Sequence, residues 1–246
     1  MLIEISKKYF SYADQIFFSL ISGDTNPIHI DRSYAKSTKL KDVNLYGGYV
    51  ILWILDVLAS KGIVVKSFNI HFLKPILIEK MVSMWCDDIN NIVHIICEGD
   101  KCFVFKYIKN NKGFNLPVTD YYRNIHFAEM DQQKPNFLSF DDCLKFNKSK
   151  YGVKKTNFVF NIFDDIKLHY SHSIIDEIST ISGIIGNKCP GLYSIETSFK
   201  LEFKHKNSLS YPHFSVIKND DRFGMITIEF NSLSFVAYVE TLYRDF

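Results

Sequence analysis

The spacing of apolar and polar residues along the chain changes several times between a helical period and a strand period. Two stretches have helical spacing and end close to a glycine: Tyr12–Ser22, followed by Gly23, and Gly47–Ser60, followed by Gly62. Glycine readily adopts the left-handed conformation that ends many helices. We therefore predict a short helix and a longer helix in this region.

Runs rich in β-branched and aromatic residues follow the longer helix, and turn-forming residues separate the later runs. Such runs are typical of strands that pair in an antiparallel sheet. The order of elements predicts an α+β unit in which the sheet wraps the longer helix and buries it. The predicted strands are Val64–Leu73, Ile78–Asp87, Ile92–Glu98 and Phe103–Ile108.

The second half of the chain repeats this order of elements. The segment Phe199–Phe203 can be aligned with Phe68–Phe72, which places the helical stretch Ile174–Gly186 over the first half's longer helix. This weak internal repeat predicts two similar domains, residues 1–112 and 146–246, joined by a polar connector, residues 113–145. Further strands are expected at Pro212–Ile217, Met225–Phe230 and Phe235–Tyr243.

Composition narrows the class of protein. The chain has 246 residues, 47% of them hydrophobic, and a formal net charge of +2 with scattered lysines, which does not favour nucleic-acid binding. The N-terminus lacks the apolar region of a signal peptide, and no apolar run is long enough to span a bilayer, so we expect a cytoplasmic protein without membrane insertion. Five cysteines without close pairs suggest reduced thiols, and we predict no metal site.

The stretch Ser22–Asp31, SGDTNPIHID, concentrates the candidate chemistry. Its glycine and proline interrupt any helix, and in a tight loop Asp24 and His29 can point into one pocket. A carboxylate beside an imidazole can share general acid and base catalysis near neutral pH. The alternative is a loop in which the polar side chains form turns and the histidine is structural.

With the residues around it, this stretch resembles the hydratase motif of the MaoC-like family, the hotdog-fold (R)-specific enoyl-CoA hydratases and 3-hydroxyacyl thioester dehydratases. The resemblance begins at Phe10, includes Gly47 and Gly48, and resumes at Phe68–Ile76. It implies that Asp24 and His29 are the catalytic pair that holds the water added to or released from C3. It also implies that Asn26 supports the loop, that the Gly47 N–H binds the thioester oxygen, and that no metal or redox cofactor is required.

The sequence departs from the family pattern around Gly47. Tyr46 replaces a common histidine, and the apolar run Ile51–Leu55 covers a position where active relatives often have a small hydroxyl residue. Bulky side chains here suggest a short or unusual acyl group, although core packing is an equal explanation for Trp53. The residues expected to contact the substrate are Asn26, Tyr46, Gly48, Tyr49 and Trp53.

The internal repeat, combined with the resemblance, implies a double hotdog: two antiparallel β-sheets, each wrapped around a central helix. In the alignment of the halves, Lys155 and Phe160 fall opposite Asp24 and His29, so the C-terminal half lacks the acid–base pair. We expect that half to complete the pocket, with Cys189–Phe199 lining the substrate tunnel; the alternative is a simple turn at Pro190.

The resemblance therefore implies an enzyme, a hydro-lyase acting on thioesters of coenzyme A or acyl carrier protein, as a pseudo-dimeric monomer or a homodimer. Lysines near the active loop, such as Lys36, Lys39 and Lys41, are candidates for contact with phosphate on the carrier. Two alternatives stay open from the sequence: a hotdog thioesterase, and an acyl-thioester-binding protein without catalytic activity.

Overall fold

The structure, a computed structural model, describes residues 1–110, 135–136, 138–153, 163–170, 173–192, 194–204 and 211–243. Most of the predicted connector, residues 113–134 and 137, lies outside these ranges, as do Lys155 and Phe160. The domain boundaries proposed above stay a prediction.

The N-terminal half consists of a five-stranded antiparallel sheet and four helices, of which the longest is central. The predicted helices are present with the predicted bounds, and the predicted strands are present with small shifts at their ends. The elements are β1 (Leu2–Phe10), α1 (Tyr12–Ser22), α2 (Pro27–Ile30), α3 (Arg32–Ser37), α4 (Gly47–Ser60), β2 (Val65–Phe72), β3 (Lys80–Asp87), β4 (Ile92–Cys97) and β5 (Asp100–Lys109).

Local sequence explains where helices α1 and α4 begin and end. Ser11 and Asp14 form a reciprocal capping box at the start of α1, and Gly23 ends it with φ of 74°. Helix α4 begins at Gly47 without a side-chain cap. Almost all residues of α4 up to Ala59 are buried, as expected for a helix enclosed by a sheet.

The C-terminal half repeats the plan with shorter outer elements. Its central helix, α7, matches the predicted helical stretch within one residue at each end. The elements are α5 (Phe140–Cys143), β6 (Ser149–Lys150), α6 (Ile166–His169), α7 (Ser173–Asn187), β7 (Ser194–Phe203), β8 (His213–Asp220), β9 (Met225–Asn231) and β10 (Phe235–Tyr243).

The two half-sheets are hydrogen-bonded to each other, which makes one ten-stranded sheet in the order β1-β3-β4-β5-β2-β7-β10-β9-β8-β6. The order in one half is the mirror image of the order in the other. Strands β2 and β7 pair antiparallel at the junction, with Phe68 opposite Leu201. The predicted double hotdog is confirmed, with the addition that its two sheets are continuous.

Helices α4 and α7 lie against each other, and α1 packs on α7. The loop that carries Asp24 therefore lies at the junction between the halves. Within the described ranges, no helix is both long enough and apolar enough to span a membrane, and no cluster of three metal-ligating side chains occurs. All five cysteines are buried free thiols.

Candidate active site

The loop between α1 and α2 holds Asp24 by hydrogen bonds to its backbone and its carboxylate. Ser19 and Tyr46 donate to the Asp24 carbonyl, at 2.6 and 2.8 Å. The Asn26 N–H donates to Asp24 Oδ1 at 3.0 Å. Tyr46 thus fixes the loop that carries Asp24 through its hydroxyl.

The Asp24 carboxylate is almost completely removed from water, with a residue exposure of 2%. Burial raises its pKa to about 7, although hydrogen bonds from the Asn26 N–H and the Ser182 hydroxyl oppose the shift. Ser182 Oγ donates to Oδ2 at 3.1 Å. The carboxyl group therefore exists in both protonation states near neutral pH, as acid–base catalysis requires.

His29 lies on the short helix α2, which Asn26 caps by accepting a hydrogen bond from the Ile28 N–H at 3.2 Å. Its Nδ1 lies 2.7 Å from the carbonyl oxygen of Asn44. Because a carbonyl only accepts, Nδ1 must carry the proton, and Nε2 keeps a lone pair. Burial lowers the pKa of His29 to about 4, so the ring is neutral at neutral pH.

Gly47 is the first residue of α4, and the first backbone N–H groups of a helix have no partner within it. A Cβ at this position would lie 2.8 Å from Glu196 Oε2 and 3.0 Å from Phe72 Cζ, so only glycine fits without a shift of its neighbours. The N-terminus of α4 also carries the positive end of the helix dipole. This corner of the site favours a ligand oxygen that gains negative charge.

Four of the residues predicted from the sequence meet at one cavity of about 280 Å³: Asp24, His29, Tyr46 and Gly47. The ring of Tyr46 stacks on His29, with centroids 4.1 Å apart. Residues Ser194–Thr197, part of the segment predicted to line the tunnel, also line the cavity, while residue 193 lies outside the described ranges.

The other predicted contact residues pack away from the cavity. Asn26 is buried under the loop, where its Nδ2 donates to the Leu192 carbonyl at 3.4 Å. Gly48 lies against Phe18 and Ser182. The Tyr49 ring stacks on Phe18, and its hydroxyl donates to Asp14 at 3.0 Å. Trp53 packs edge-on against Phe10. Their positions indicate packing and loop support.

Helix α7 of the C-terminal half contributes residues that the sequence analysis did not identify. A Cβ at Gly186 would lie 2.1 Å from Asp24 Oδ1, so the carboxylate rests directly on the α7 backbone. The Asn187 side chain accepts from the Thr25 N–H at 3.0 Å and donates to the Gly23 carbonyl at 2.6 Å. With Ser182, these residues hold the loop that carries Asp24 from the opposite half.

Strand β7 adds a further carboxylate, Glu196, which lines the same cavity. Its Oε2 is buried and has no hydrogen-bond partner among the described residues. Burial, and then the negative charge of nearby Asp24, raises the pKa of Glu196 to about 8. Nothing in the local sequence around Glu196 distinguishes it from a carboxylate on a strand surface.

Comparisons with known proteins find relatives of the N-terminal half. Residues 5–98 match the family model of the MaoC like domain. A 3-hydroxybutyryl-CoA dehydratase from Methylorubrum extorquens is 33% identical over 87 residues, which cover 34% of this chain and 55% of that protein. The chain therefore matches about half the length of this curated relative.

Two solved structures share the fold over nearly the whole chain. A MaoC-like dehydratase has a TM-score of 0.60 at 10% identity and covers 99% of this chain and 98% of its own. A MaoC domain protein dehydratase from Chloroflexus aurantiacus has a TM-score of 0.60 at 9% identity and covers 100% of this chain and 95% of its own. At these identities the likeness concerns the fold alone.

Proposed function

We propose that this protein is an (R)-specific hydratase or dehydratase, because residues 5–98 match the family model of the MaoC like domain. It interconverts trans-2-enoyl and 3-hydroxyacyl thioesters of coenzyme A or acyl carrier protein. The observation that carries the proposal is the meeting of Asp24, His29 and Gly47 at one cavity. A general acid, a general base and an oxyanion donor are the groups that addition of water to an enoyl thioester needs.

The two side chains divide the proton transfers in the hydration direction. The Nε2 lone pair of His29 accepts a proton from water as the water oxygen bonds to C3. Asp24, in its protonated form, donates its proton to C2, and the electron pair of the former double bond forms the new C–H bond. The catalytic proton then returns from imidazolium to carboxylate. In dehydration each transfer runs in reverse.

The Gly47 N–H stabilises the negative charge that develops on the thioester oxygen. Attack at C3 pushes electrons toward that oxygen and produces an enolate, which a fixed N–H at the start of a helix stabilises. Removal of one such donor typically costs about 3 to 4 kcal/mol of transition-state stabilisation. Tyr46 stacks on His29 and holds the Asp24 loop, so it orients both members of the pair.

The size of the cavity supports a short acyl group. Its volume of about 280 Å³ is just below the range, roughly 300 to 1,000 Å³, that small-molecule pockets have. The curated relative is named for 3-hydroxybutyryl-CoA, which carries a short acyl chain. Residues from both halves of one chain line the cavity, so a monomer can supply a complete site and a homodimer is not required for it.

The test is hydration of crotonyl-CoA, followed by loss of the enoyl absorbance, for the wild type, Asp24→Asn and His29→Ala. We expect turnover by the wild type and a loss of at least about 100-fold in each variant, because each removes one proton-transfer group. Ser179→Ala is the matched control, since its buried hydroxyl lies on α7 without a hydrogen-bond partner in the described residues.

Different failures identify the competing functions. Release of free thiol from an acyl-CoA without loss of the enoyl group would indicate a thioesterase. Thermal stabilisation by crotonyl-CoA without turnover would indicate an acyl-binding protein. Near wild-type rates in Asp24→Asn would contradict the assignment of the catalytic pair.

A further inference from the structure

Glu196 has no part in the chemistry described so far, although it lies at the centre of the site. Its Oε2 would be 2.8 Å from a Cβ on Gly47, so it lies directly beside the start of α4. The same oxygen is buried and has no hydrogen-bond partner in the described part of the chain. A buried polar oxygen without a partner is costly, and it is expected to bind a group that enters the site.

The surroundings of Glu196 do not favour its charged form. The other titratable or charged side chains that line this cavity, within the described ranges, are Asp24, His29, Tyr46 and Lys74. Asp24 repels a negative charge on Glu196, and His29 and Tyr46 are neutral at neutral pH. Lys74 Nζ lies 2.8 Å from Asp100 Oδ1, so the positive charge of Lys74 is already paired with that carboxylate.

These conditions keep a proton on Glu196 at neutral pH. Its pKa is raised to about 8, mainly by burial and secondarily by Asp24. An ionised carboxylate beside Gly47 would oppose an enolate at that place, whereas a neutral carboxylic acid can donate a hydrogen bond to it. Apolar surroundings that keep a carboxylic acid neutral for this purpose are an established device in enolate chemistry.

We propose that Glu196, as a neutral carboxylic acid, is the second donor of the oxyanion site. Its O–H donates a hydrogen bond to the thioester oxygen that also accepts from the Gly47 N–H. The proton stays on Glu196 throughout, and proton transfer is left to Asp24 and His29. This inference rests on the proposed hydratase function, and it gives the C-terminal half a direct contact with the substrate.

The experiment compares Glu196→Gln, Glu196→Ala and the control Glu202→Gln in the crotonyl-CoA assay. Glutamine keeps the shape and an N–H donor, while alanine removes the donor. We expect kcat to fall about 100- to 1,000-fold in Glu196→Ala, as for other oxyanion donors, and much less in Glu196→Gln. Glu202 is exposed on the same strand, so its substitution should leave kcat unchanged.

The pH profile tests the protonation state. In the wild type, kcat for hydration should fall at alkaline pH with the loss of two protons, because Asp24 and Glu196 titrate as a coupled pair. Glu196→Gln should retain only the deprotonation of Asp24. In addition, the infrared carbonyl band of a protonated carboxylic acid should be present at neutral pH in the wild type and reduced in Glu196→Gln, a readout that does not require turnover.

Several results would overturn the inference. Equal losses in Glu196→Gln and Glu196→Ala would assign proton transfer to Glu196, and equal activity of Glu196→Ala and the wild type would remove it from the mechanism. An unchanged infrared band in Glu196→Gln would show that Glu196 is ionised. If the wild type does not hydrate any enoyl thioester, the proposed function fails and the inference fails with it. Thermal melting confirms that each variant is folded.

Discussion

Two buried carboxylates, one on the central helix of the C-terminal half and one in the N-terminal half, are held differently. In the C-terminal half, Glu177 on α7 accepts hydrogen bonds from the hydroxyls of Ser232 and Ser234 and from the Ser234 N–H. In the N-terminal half, the Asp24 carboxylate accepts from the Asn26 N–H and Ser182. Glu177 is fully buried, whereas Asp24 also lines the cavity.

The difference separates a carboxylate with many hydrogen-bond donors from one with few. A carboxylate can accept about four hydrogen bonds, and Glu177 has donors on both oxygens from one tight turn. Asp24 has fewer donors, and burial raises its pKa to about 7. We therefore expect Glu177 to stabilise the fold and Asp24 to be available for proton transfer.

The largest expected effect is a change in the free energy of unfolding when Asp24 is replaced by asparagine. The pKa of Asp24 is about 7 in the folded protein and 3.8 ordinarily, so the folded state retains a proton that the unfolded state has already lost. The wild type should therefore lose stability as pH rises from about 4 to 7. Asp24→Asn has no proton to lose, so at pH 8 its free energy of unfolding should exceed that of the wild type by up to about 4 kcal/mol.

Urea unfolding at several pH values measures this effect, with Glu177→Gln as the matched control. Because glutamine replaces one acceptor oxygen of Glu177 by an amide nitrogen that cannot accept, that variant should lower the free energy of unfolding by about 1 to 3 kcal/mol. The gain in Asp24→Asn should vanish near pH 4. If Asp24→Asn were less stable than the wild type at every pH, Asp24 would be a structural residue like Glu177.

The next effect tests whether the C-terminal half positions the catalytic loop. Gly186→Ala places a Cβ 2.1 Å from Asp24 Oδ1, which must move the carboxylate away from the cavity. We expect kcat for crotonyl-CoA hydration to fall at least about 100-fold, comparable to loss of a general acid. Ser179→Ala on the same helix, α7, is the control, because its buried hydroxyl has no hydrogen-bond partner in the described residues. Equal losses in the two variants would contradict a specific role for the contact between Gly186 and Asp24.

Sequence patterns predicted those parts of the molecule that depend on neighbours along the chain. The bounds of α1 follow from its capping residues and those of α4 from apolar spacing. The motif placed Asp24 and His29 in one loop. Strand β1 was not predicted, because it is an edge strand with most of its side chains exposed and so lacks a clear apolar alternation.

The remaining site residues depend on contacts between the halves. Ser182 donates to Asp24 from 158 positions further along the chain, and no local pattern encodes that contact. The resemblance implies a small hydroxyl residue within Ile51–Leu55, where this chain has only apolar residues; the hydroxyl that contacts Asp24 comes from α7. Similarly, Glu196 reaches Gly47 only because β7 is adjacent to β2.

The smallest expected effect concerns the hydroxyl of Ser182. Ser182→Ala removes a hydrogen bond that favours the charged form of Asp24, so the pKa of Asp24 should rise further and the alkaline fall of kcat should move to higher pH. We expect kcat at neutral pH to fall roughly 5- to 10-fold, the cost of one such hydrogen bond.

Ser179→Ala, one turn earlier on α7, removes a buried hydroxyl without a hydrogen-bond partner in the described residues and should leave both rate and pH profile unchanged. A rate loss in Ser182→Ala without a shift in the pH profile would mean that Ser182 acts only on packing, and the C-terminal half would then shape the site without tuning its acid.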